Sequence, residues 1–488
     1  MTAMPGRHVA RRYGCNGLRT ILLHDTRTGE LRPVEPREPG RIGIYACGPT
    51  VYGAVHVGNA RPFVVFSLLK RFLAHEGYDV TLVANITDVN DKIYTAAGAA
   101  GVGSELLARQ MRDAYIADTD GLGLGRPDAE PLASHTIGAI IELIERLIAR
   151  GHAYAVDGDV YFSVRTYSDY GEISHQRIDA MDQGEEVHGG GRKRDPLDFA
   201  LWKAQKPGED TAWEAPWGRG RPGWHIECSA MAQALLGVDF EIHGGGSDLI
   251  FPHHENEAAQ TRAAHDAPLA RLWMHNGMVR LDRAKMAKSG GNVFMLREAL
   301  SRYGRDALIA YFCAGHYRKP VEFDDERLQE AAARVKRIRE GARRLVAGPS
   351  PAWSAPLRER FFDALAQDFN TPEALAQCFE WVREANRADR FLASVATDPS
   401  VAAGSTGSTD GKVGDRDLRE MLGVLGLGNL LDADLGEPPP EARELCAARE
   451  RARAARDYQR ADRLRAELRA LGWEVRDGAG GPTLLALG

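Results

Sequence analysis

Residues 41–86, RIGIYACGPTVYGAVHVGNARPFVVFSLLKRFLAHEGYDVTLVANI, decide the fold of this chain. Arg41–Cys47 is a short apolar run that ends at a Gly-Pro-Thr turn, which predicts a β-strand followed by a loop. Across Gly58–His75 the apolar residues recur at helical spacing, and Asp79–Ile86 then predicts a buried strand. A strand, a helix and a second strand form a βαβ unit. The pattern therefore indicates a parallel sheet that binds its ligand at the carboxyl ends of the strands.

The rest of the chain contains signals for completing this sheet and for further domains. Strand and helix patterns resume within residues 204–280, after a region at 151–203 whose β-rich runs and glycine-rich charged loop predict an insertion. Arg327–Leu392 has helical spacing, and Trp473–Leu487 predicts a small hairpin. We therefore predict an α/β fold in which a Rossmann-type parallel sheet is split by an insertion. An α-helical bundle and a small mixed C-terminal domain follow it.

The length and composition are those of a multidomain globular enzyme. A chain of 488 residues is too long for one hydrophobic core and favours about three folding units. With 44% hydrophobic and 27% charged residues, the collagen-like, disordered and disulfide-rich classes are excluded. The six cysteines form no CxxC pair, and no signal peptide or membrane-spanning run is visible, so we expect a cytoplasmic protein with no membrane partner. The net charge of −6 leaves RNA binding to local basic patches.

The first candidate site lies where the predicted strand, loop and helix meet. His56 and Asn59 stand at positions i and i+3 around Gly58, so both side chains can point at one ligand. The glycine permits close backbone approach, and a helix N-terminus attracts anions. This pattern favours phosphate binding. Taken alone, it is also compatible with a turn that carries two solvated polar residues.

The second candidate site is the lysine pair of KMAKS, residues 285–289, which two glycines follow. Lys285 and Lys288 on a flexible loop can close over a polyphosphate and stabilise charge that develops on leaving pyrophosphate. The alternative is a solvated charged loop.

The third candidate site is a set of metal ligands from separate parts of the chain. Cys47 ends a predicted strand and Cys228 lies in a predicted helix. His253 and Glu257 stand at i and i+4 at the start of another helix, so they project from one face of it. Two thiolates, an imidazole and a carboxylate could converge on a tetrahedral metal, for which zinc is the first choice. Each residue alone is more typical of a buried core than of a metal site, and it is their coincidence that favours the metal. The alternate ligands on neighbouring faces are His254 and Glu255.

Together these stretches resemble a known family. The HVGN and KMAKS segments resemble the HIGH and KMSKS signatures of class I aminoacyl-tRNA synthetases, in the same order. The segments CGPTVY, GRPGWHIECSAM and HGGGSDLIFPHHENE resemble the cysteinyl-tRNA synthetase pattern, so roughly residues 19–330 are identified as a member of that family. The resemblance implies ATP-dependent activation of L-cysteine and its transfer to tRNA(Cys). It also implies one zinc ion per chain that selects cysteine by thiolate coordination, ATP with magnesium as substrate, and a monomer.

The resemblance also implies the role of individual residues. It assigns catalysis to His56, Asn59, Lys285 and Lys288; ATP binding to His56, Gly58, Asn59, Gly245, Asp248 and Lys288; substrate binding to Thr87 and Trp224; and zinc binding to Cys47, Cys228, His253 and Glu257. Two positions depart from the family pattern. Asn59 stands where the second histidine of HIGH is usual, and Ala287 replaces the serine of KMSKS.

The predicted domains follow the same resemblance. They are an N-terminal extension (1–18), the first half of the catalytic domain (19–150), the connective insertion (151–203), the second half of the catalytic domain (204–280), the KMSKS-loop and stem-contact region (281–326), a helical tRNA-binding bundle (327–400), a linker (401–414) and an anticodon-binding region (415–488). The last region is rich in arginine, and Tyr458 and Trp473 are candidate surfaces on which bases stack.

Two other functions fit the same scaffold. The mycothiol-pathway ligase resembles this family and activates cysteine in the same way, but it passes the cysteine to an amino-sugar and lacks a full anticodon-binding end. A synthetase-like RNA-binding protein without catalysis is the second alternative, because Asn59 and Ala287 depart from the signatures.

Overall fold

A computed structural model gives the architecture of the chain. It describes residues 19–180, 192–281, 284–285, 293–396, 412–432, 438–455, 457–471, 473–476 and 482–486. The predicted N-terminal extension, Lys288 and most of the predicted linker lie outside these residues. None of the helices in the described ranges is both long enough and apolar enough to cross a membrane.

The strands occur throughout the chain. They are β1 (Leu22–Asp25), β2 (Glu30–Pro33), β3 (Arg41–Ala46), β4 (Asp79–Ala84), β5 (Ala153–Val156), β6 (Asp159–Phe162), β7 (Phe199–Ala204), β8 (Gly220–Pro222), β9 (Phe240–Gly246), β10 (Ala270–Asn276), β11 (Val279–Leu281), β12 (Ala284–Lys285), β13 (Val321–Glu322), β14 (Leu345–Val346), β15 (Val413–Gly414), β16 (Trp473–Arg476) and β17 (Thr483–Ala486).

The helices alternate with strands at first and then dominate. They are α1 (Val57–His75), α2 (Asp91–Ala100), α3 (Ser104–Asp120), α4 (Ile137–Ala149), α5 (Trp224–Leu236), α6 (Glu255–His265), α7 (Leu296–Tyr303), α8 (Arg305–Ala314), α9 (Asp325–Ala342), α10 (Ala355–Ala366), α11 (Thr371–Ala396), α12 (Arg416–Val424), α13 (Pro440–Ala454) and α14 (Tyr458–Ala470).

The central sheet confirms the predicted α/β fold. Its four strands run parallel in the order β10, β9, β3, β4. Tyr45 lies between His243 on one neighbouring strand and Val83 on the other. Because β9 and β10 follow the insertion in sequence, the sheet is completed by the second half of the catalytic region. The carboxyl ends of all four strands therefore meet at one edge.

The insertion forms an antiparallel sheet of its own, in the order β5, β6, β7, β8. The strand β8 extends this sheet beyond the predicted segment 151–203. Phe162 and Phe199 stack in its core, with ring centroids 5.0 Å apart. The helix α4 contributes buried isoleucine and leucine side chains to the same hydrophobic cluster.

The helical part packs on the catalytic core, whereas the C-terminal part has a separate cluster. Buried residues of α9 to α12 share one hydrophobic core with α1. Val413 and Gly414, the end of the predicted linker, pair with β14. In the C-terminal part, α13, α14 and the hairpin of β16 and β17 enclose a small core. Trp473 is buried in that core, so its prediction as a stacking surface is wrong; Tyr458 is 63% exposed.

Candidate functional site

A cavity of about 340 Å³ lies at the carboxyl ends of the central strands. It is lined by residues from four of the segments that the sequence singled out. These include Cys47, Thr50, His56, Gly58, Asn59, Trp224, Gly246 and Asp248. The position is the one that a parallel α/β sheet provides for a ligand.

His56 and Asn59 form a reciprocal cap at the start of α1. The Asn59 backbone N–H donates to Nδ1 of His56 over 3.3 Å, and the His56 backbone N–H donates to Oδ1 of Asn59 over 3.4 Å. Because Nδ1 accepts, a neutral His56 carries its proton on Nε2. The amide of Asn59 keeps Nδ2 as a donor in the same way. Both residues line the cavity, so the His56 ring and the Asn59 amide can face an anion there.

The glycines of HGGG allow close packing beneath the cavity. A Cβ on Gly244 would lie 2.3 Å from the Phe66 ring, and one on Gly245 would lie 3.3 Å from Cε1 of His254. Gly246 and the exposed Asp248 line the cavity, whereas Gly245 faces His254. The predicted ATP contact of Gly245 stays a prediction.

The four predicted metal ligands come together at a buried position, and Cys47 is the one of them that lines this cavity. One donor atom from each of Cys47, Cys228, His253 and Glu257 lies within 4.8 Å of the others. Nε2 of His253 is 3.1 Å from Oε1 of Glu257, and Sγ of Cys47 is 3.6 Å from the same oxygen. His253 belongs to a single wide turn, Ile250–His254, that precedes α6, and the spacing to Glu257 is kept across this junction.

A second set of ligands overlaps the first. Cys47 and Glu257 also meet the donor atoms of His243 and His254 within 4.8 Å. Nε2 of His254 is 3.3 Å from Sγ of Cys47, and its Nδ1 is 2.7 Å from Nε2 of His275. Glu255, the other alternate, points elsewhere: its carboxylate accepts backbone N–H groups of residues 171, 173 and 174.

The cluster lacks the positive charge that its donor atoms require. Burial raises the pKa of Cys47 and lowers the pKa values of His253 and His254, so without a cation all three are neutral. Oε2 of Glu257 has no hydrogen-bond donor in the described part of the chain. A divalent cation would stabilise both thiolates and this carboxylate. The residues present therefore fit a zinc ion.

Two further predicted residues flank the cluster. The indole of Trp224 lines the cavity and stacks on His253, with ring centroids 4.3 Å apart. Thr87 is buried, and its hydroxyl accepts a hydrogen bond of 3.2 Å from Nδ2 of Asn85. The Asn85 side chain also accepts the backbone N–H of Gly48. Asn85 therefore links Thr87 to the loop that starts at Gly48.

The segment that follows KMAKS meets the start of α1 through backbone contacts. After the KMAKS loop the chain returns through Met295, which forms an antiparallel bridge with His56. The N–H of Val57 donates to the carbonyl of Phe294 over 3.0 Å, and the N–H of Leu296 donates to that of Val55 over 2.9 Å. Lys285 ends β12; Lys288 lies outside the described residues. Residues 294–296 are therefore held beside the cap of α1.

Three polar residues at the site were not predicted. His243 and His275 stand on buried strands, and Glu227 precedes Cys228 on α5. The apolar residues around each of these histidines predict only a buried strand. The hydrophobic pattern therefore gives no indication that the histidine itself belongs to a site. For Glu227 the signal was present: Trp224, Glu227 and Cys228 share the i, i+3, i+4 face of a predicted helix.

Family models match almost the whole chain. The model for the class I (C) tRNA synthetase catalytic domain matches residues 33–333, that for the DALR domain residues 360–429, and that for the cysteinyl-tRNA ligase anticodon binding domain residues 435–482. The cysteine–tRNA ligase of Rubrobacter xylanophilus is 45% identical, over 95% of this chain and 99% of the relative. That of Pseudothermotoga lettingae is 43% identical, over 94% and 98%.

Solved structures agree on the fold. Methionyl-tRNA synthetase of Mycobacterium tuberculosis in complex with methionyl-adenylate superposes with a TM-score of 0.57 at 16% identity, covering 80% of this chain and 90% of that one. A leucyl enzyme of Agrobacterium radiobacter K84, LeuRS in a ternary complex with tRNA and LeuAMS, gives 0.56 at 12% identity, covering 81% and 85%. With its catalytic, DALR and anticodon-binding segments matched in order and its relatives aligned end to end, the chain belongs to the cysteine–tRNA ligase family of class I aminoacyl-tRNA synthetases.

Proposed function

We propose that this chain activates L-cysteine with ATP to cysteinyl-adenylate and transfers the cysteinyl group to tRNA(Cys). The observation that carries the proposal is the adjacency of two sites in one cavity. Cys47, a member of the buried metal-ligand cluster, lines the same cavity as His56 and Asn59. A thiol-selective group and a phosphate-binding cap are the two functions that cysteine activation requires.

Cys47, Cys228, His253 and Glu257 would hold one zinc ion beside the cavity. When bound, zinc supplies a soft centre that prefers a thiolate to a hydroxyl, which distinguishes cysteine from serine without an editing domain. The stacking of Trp224 on His253 fixes the imidazole and closes one side of the cysteine pocket. Thr87 contributes a hydroxyl behind the same pocket.

The ATP phosphates would lie against the cap of α1. Nε2–H of His56 and the amide of Asn59 would donate to the phosphates there, and the helix N-terminus adds a partial positive charge. Gly58 would let the backbone approach the phosphates, and Asp248, which also lines the cavity close to Gly246, would receive the ribose hydroxyls. Lys285 and Lys288 would bind the triphosphate, which enters with magnesium, as pyrophosphate leaves.

The C-terminal part would bind the tRNA anticodon. The match to an anticodon-binding domain over residues 435–482 favours the synthetase over a cysteine ligase that uses an amino-sugar. Arginines of α13 and α14 supply positive charge for RNA phosphates, and Tyr458 offers an exposed ring. We predict that the protein acts as a monomer.

Cysteine-dependent ATP–pyrophosphate exchange tests the proposal. The full chain should exchange label with cysteine and not with serine, lose this activity on zinc chelation, and regain it when zinc is restored. It should then charge tRNA(Cys). Transfer of cysteine to an amino-sugar alone would support the ligase, and absence of exchange in the zinc-loaded protein would support a non-catalytic RNA-binding protein.

A further inference from the structure

Glu227 lies on the same face of α5 as two residues of the proposed cysteine pocket. Trp224 precedes it by three positions and Cys228 follows it directly, so Glu227 and Cys228 stand at i+3 and i+4 from Trp224. Trp224 lines the cavity, and Cys228 is a metal ligand in the first set. The helix thus presents an aromatic ring, a carboxylate and a thiol to one region.

The carboxylate of Glu227 is buried, and the Thr87 hydroxyl is a neighbouring hydrogen-bonding group. The residue is fully buried, and neither carboxylate oxygen has a hydrogen-bond donor at normal geometry among the described residues. An acidic residue in the first turn of a helix is ordinary when solvent surrounds it. A buried and unpaired carboxylate is costly, and such groups are normally matched by a cation or by several donors.

The cations near Glu227 are occupied by other carboxylates. Arg221 donates to Oε1 of Glu209 over 3.1 Å and also binds Asp91. Lys203 lies 3.0 Å from Oδ2 of Asp91. Nearby Asp88 already accepts the backbone N–H of Ser134 over 3.0 Å. The described chain therefore places a buried carboxyl group at this point whose neighbouring cations are held by other carboxylates.

We propose that Glu227 receives the α-ammonium group of the substrate cysteine, with the Thr87 hydroxyl as a neighbouring contact. This assignment rests on the proposed function, in which the substrate sulfur is bound beside Cys228. Only two carbon atoms separate that sulfur from the ammonium nitrogen, so the group that receives the nitrogen must lie next to the sulfur site. Glu227 directly precedes Cys228 on α5, and its carboxyl group is close enough to interact electrostatically with the Cys228 thiol and to accept a hydrogen bond from the Thr87 hydroxyl.

Three small thiols separate this role from a structural one. L-Cysteine carries thiol, ammonium and carboxylate groups; cysteamine lacks the carboxylate, and 3-mercaptopropionate lacks the ammonium. Calorimetric titration of zinc-loaded full chain with each compound gives the affinity for each group. For Glu227→Gln we expect the Kd values of cysteine and cysteamine to rise roughly 10- to 100-fold, as expected for loss of a hydrogen bond to a charged group. The Kd of 3-mercaptopropionate and the zinc content should not change.

Two further variants complete the experiment. Glu227→Asp keeps the charge on a shorter side chain and should retain part of the preference for cysteine over 3-mercaptopropionate. Glu241→Gln is the matched control, because Glu241 is also buried but accepts the backbone N–H groups of Arg37 and Gly43. It should leave that preference unchanged.

The outcomes are distinct. If Glu227→Gln leaves all three Kd values unchanged, raises them equally, or loses zinc, Glu227 does not receive the ammonium group. Should Glu227→Gln fail to fold, Glu227→Asp decides the question. An intermediate preference for cysteine over 3-mercaptopropionate would support the assignment. A preference equal to that of wild type, or no preference at all, would overturn it. Lack of pyrophosphate exchange in the wild type would contradict the proposed function, whereas the ammonium assignment is still judged by these binding ratios.

Discussion

The choice between the two overlapping ligand sets depends on two residues of each. Cys47 and Glu257 belong to both, so the sets differ by Cys228 and His253 on one side and His243 and His254 on the other. His254 already bonds to His275, and the Thr26 hydroxyl continues this chain at 2.7 Å from His275. His253 has a similar contact, with Nδ1 of His225 at 2.9 Å, so this bonding does not separate the sets. The first set supplies two sulfur ligands and the second only one, and zinc favours thiolate ligands. We therefore expect the zinc ion in the first set.

Zinc stoichiometry distinguishes the sets directly. Cys228→Ser replaces a soft ligand by a hard one of similar size and should lower bound zinc well below one per chain. His243→Gln should retain zinc, because it changes only the second set. Elemental analysis after dialysis measures both. The reverse pattern would place the metal between His243 and His254.

Because Asn59 caps α1 through an oxygen that aspartate also has, its substitution can test phosphate binding without destabilising the fold. Asn59→Asp keeps an oxygen that accepts the His56 N–H, so the free energy of unfolding should change by less than about 1 kcal/mol. It also replaces the amide donor by a negative charge facing the triphosphate, so kcat/KM for ATP in pyrophosphate exchange should fall on the order of 100-fold. Asn59→His, which restores the usual signature, should retain activity. Equal activity of Asn59→Asp and wild type would remove Asn59 from the phosphate site.

At the scale of elements, one ionic cluster joins α1 of the catalytic core to α10 and α12. Arg358 donates to both oxygens of Glu420, over 2.7 and 2.8 Å, and Nε2 of His75 is 2.7 Å from Oε1. Burial of Glu420 disfavours its charge, but the hydrogen bonds from Arg358 and His75 outweigh it and lower the pKa of Glu420 to about 2. Burial acts against charge on His75 as well, yet its contacts with Glu420 and Glu76 raise the pKa of His75.

The stability that this cluster supplies should depend on pH. Because the pKa of Glu420 is lowered by folding, its contribution is present above about pH 4.3 and is lost as pH falls towards about 2. Because the pKa of His75 is raised, the contribution of His75 is complete below about pH 6.5 and is lost as pH rises through the raised value. Glu420→Gln should therefore lower the free energy of unfolding by on the order of 2 kcal/mol between these limits.

Urea unfolding of both proteins from pH 3 to pH 8 measures this difference. It should be largest between about pH 5 and pH 6.5 and shrink on either side. Glu359→Gln is the control, because Glu359 is 49% exposed in its pair with Arg358 and an exposed ion pair contributes about 0–1 kcal/mol. A difference independent of pH would show that Glu420 acts through packing and not through its charge.

At the scale of the whole molecule, the position of a truncation decides its effect. A chain ending at residue 400 would lose Val413, Leu418 and Leu422, which are buried in the core shared with α1. Burial of each such side chain stabilises by about 1.5–3 kcal/mol, so this chain should unfold or aggregate. A chain ending at residue 432 keeps them and removes only the part with its own small core.

The chain ending at residue 432 should keep cysteine-dependent pyrophosphate exchange within about twofold of the full chain and lose most tRNA charging. The loss should reside in the KM for tRNA, because the arginines of α13 and α14 are removed while the catalytic cavity is intact. Exchange and aminoacylation kinetics of both chains measure this. Unchanged charging would mean that residues beyond 432 do not bind the tRNA.

The sequence by itself determined the parallel α/β fold, the family and the four candidate zinc ligands. Each rests on local information: a βαβ pattern, short motifs, or the i, i+4 spacing of His253 and Glu257. Local patterns are readable because helix and strand periodicities are set by neighbours in sequence.

Only the tertiary structure decided which distant groups meet. Cys47 and Glu257 are 210 positions apart, and their contact depends on the order of strands in the sheet. The same order brings His243 and His275 to the cluster. The packing of α5 leaves the Glu227 carboxylate buried without a hydrogen bond of normal geometry in the part of the chain that the structure describes. The small C-terminal core encloses Trp473, which the sequence alone placed on the surface. Burial and pairing are properties of the assembled layers, so no local pattern contains them.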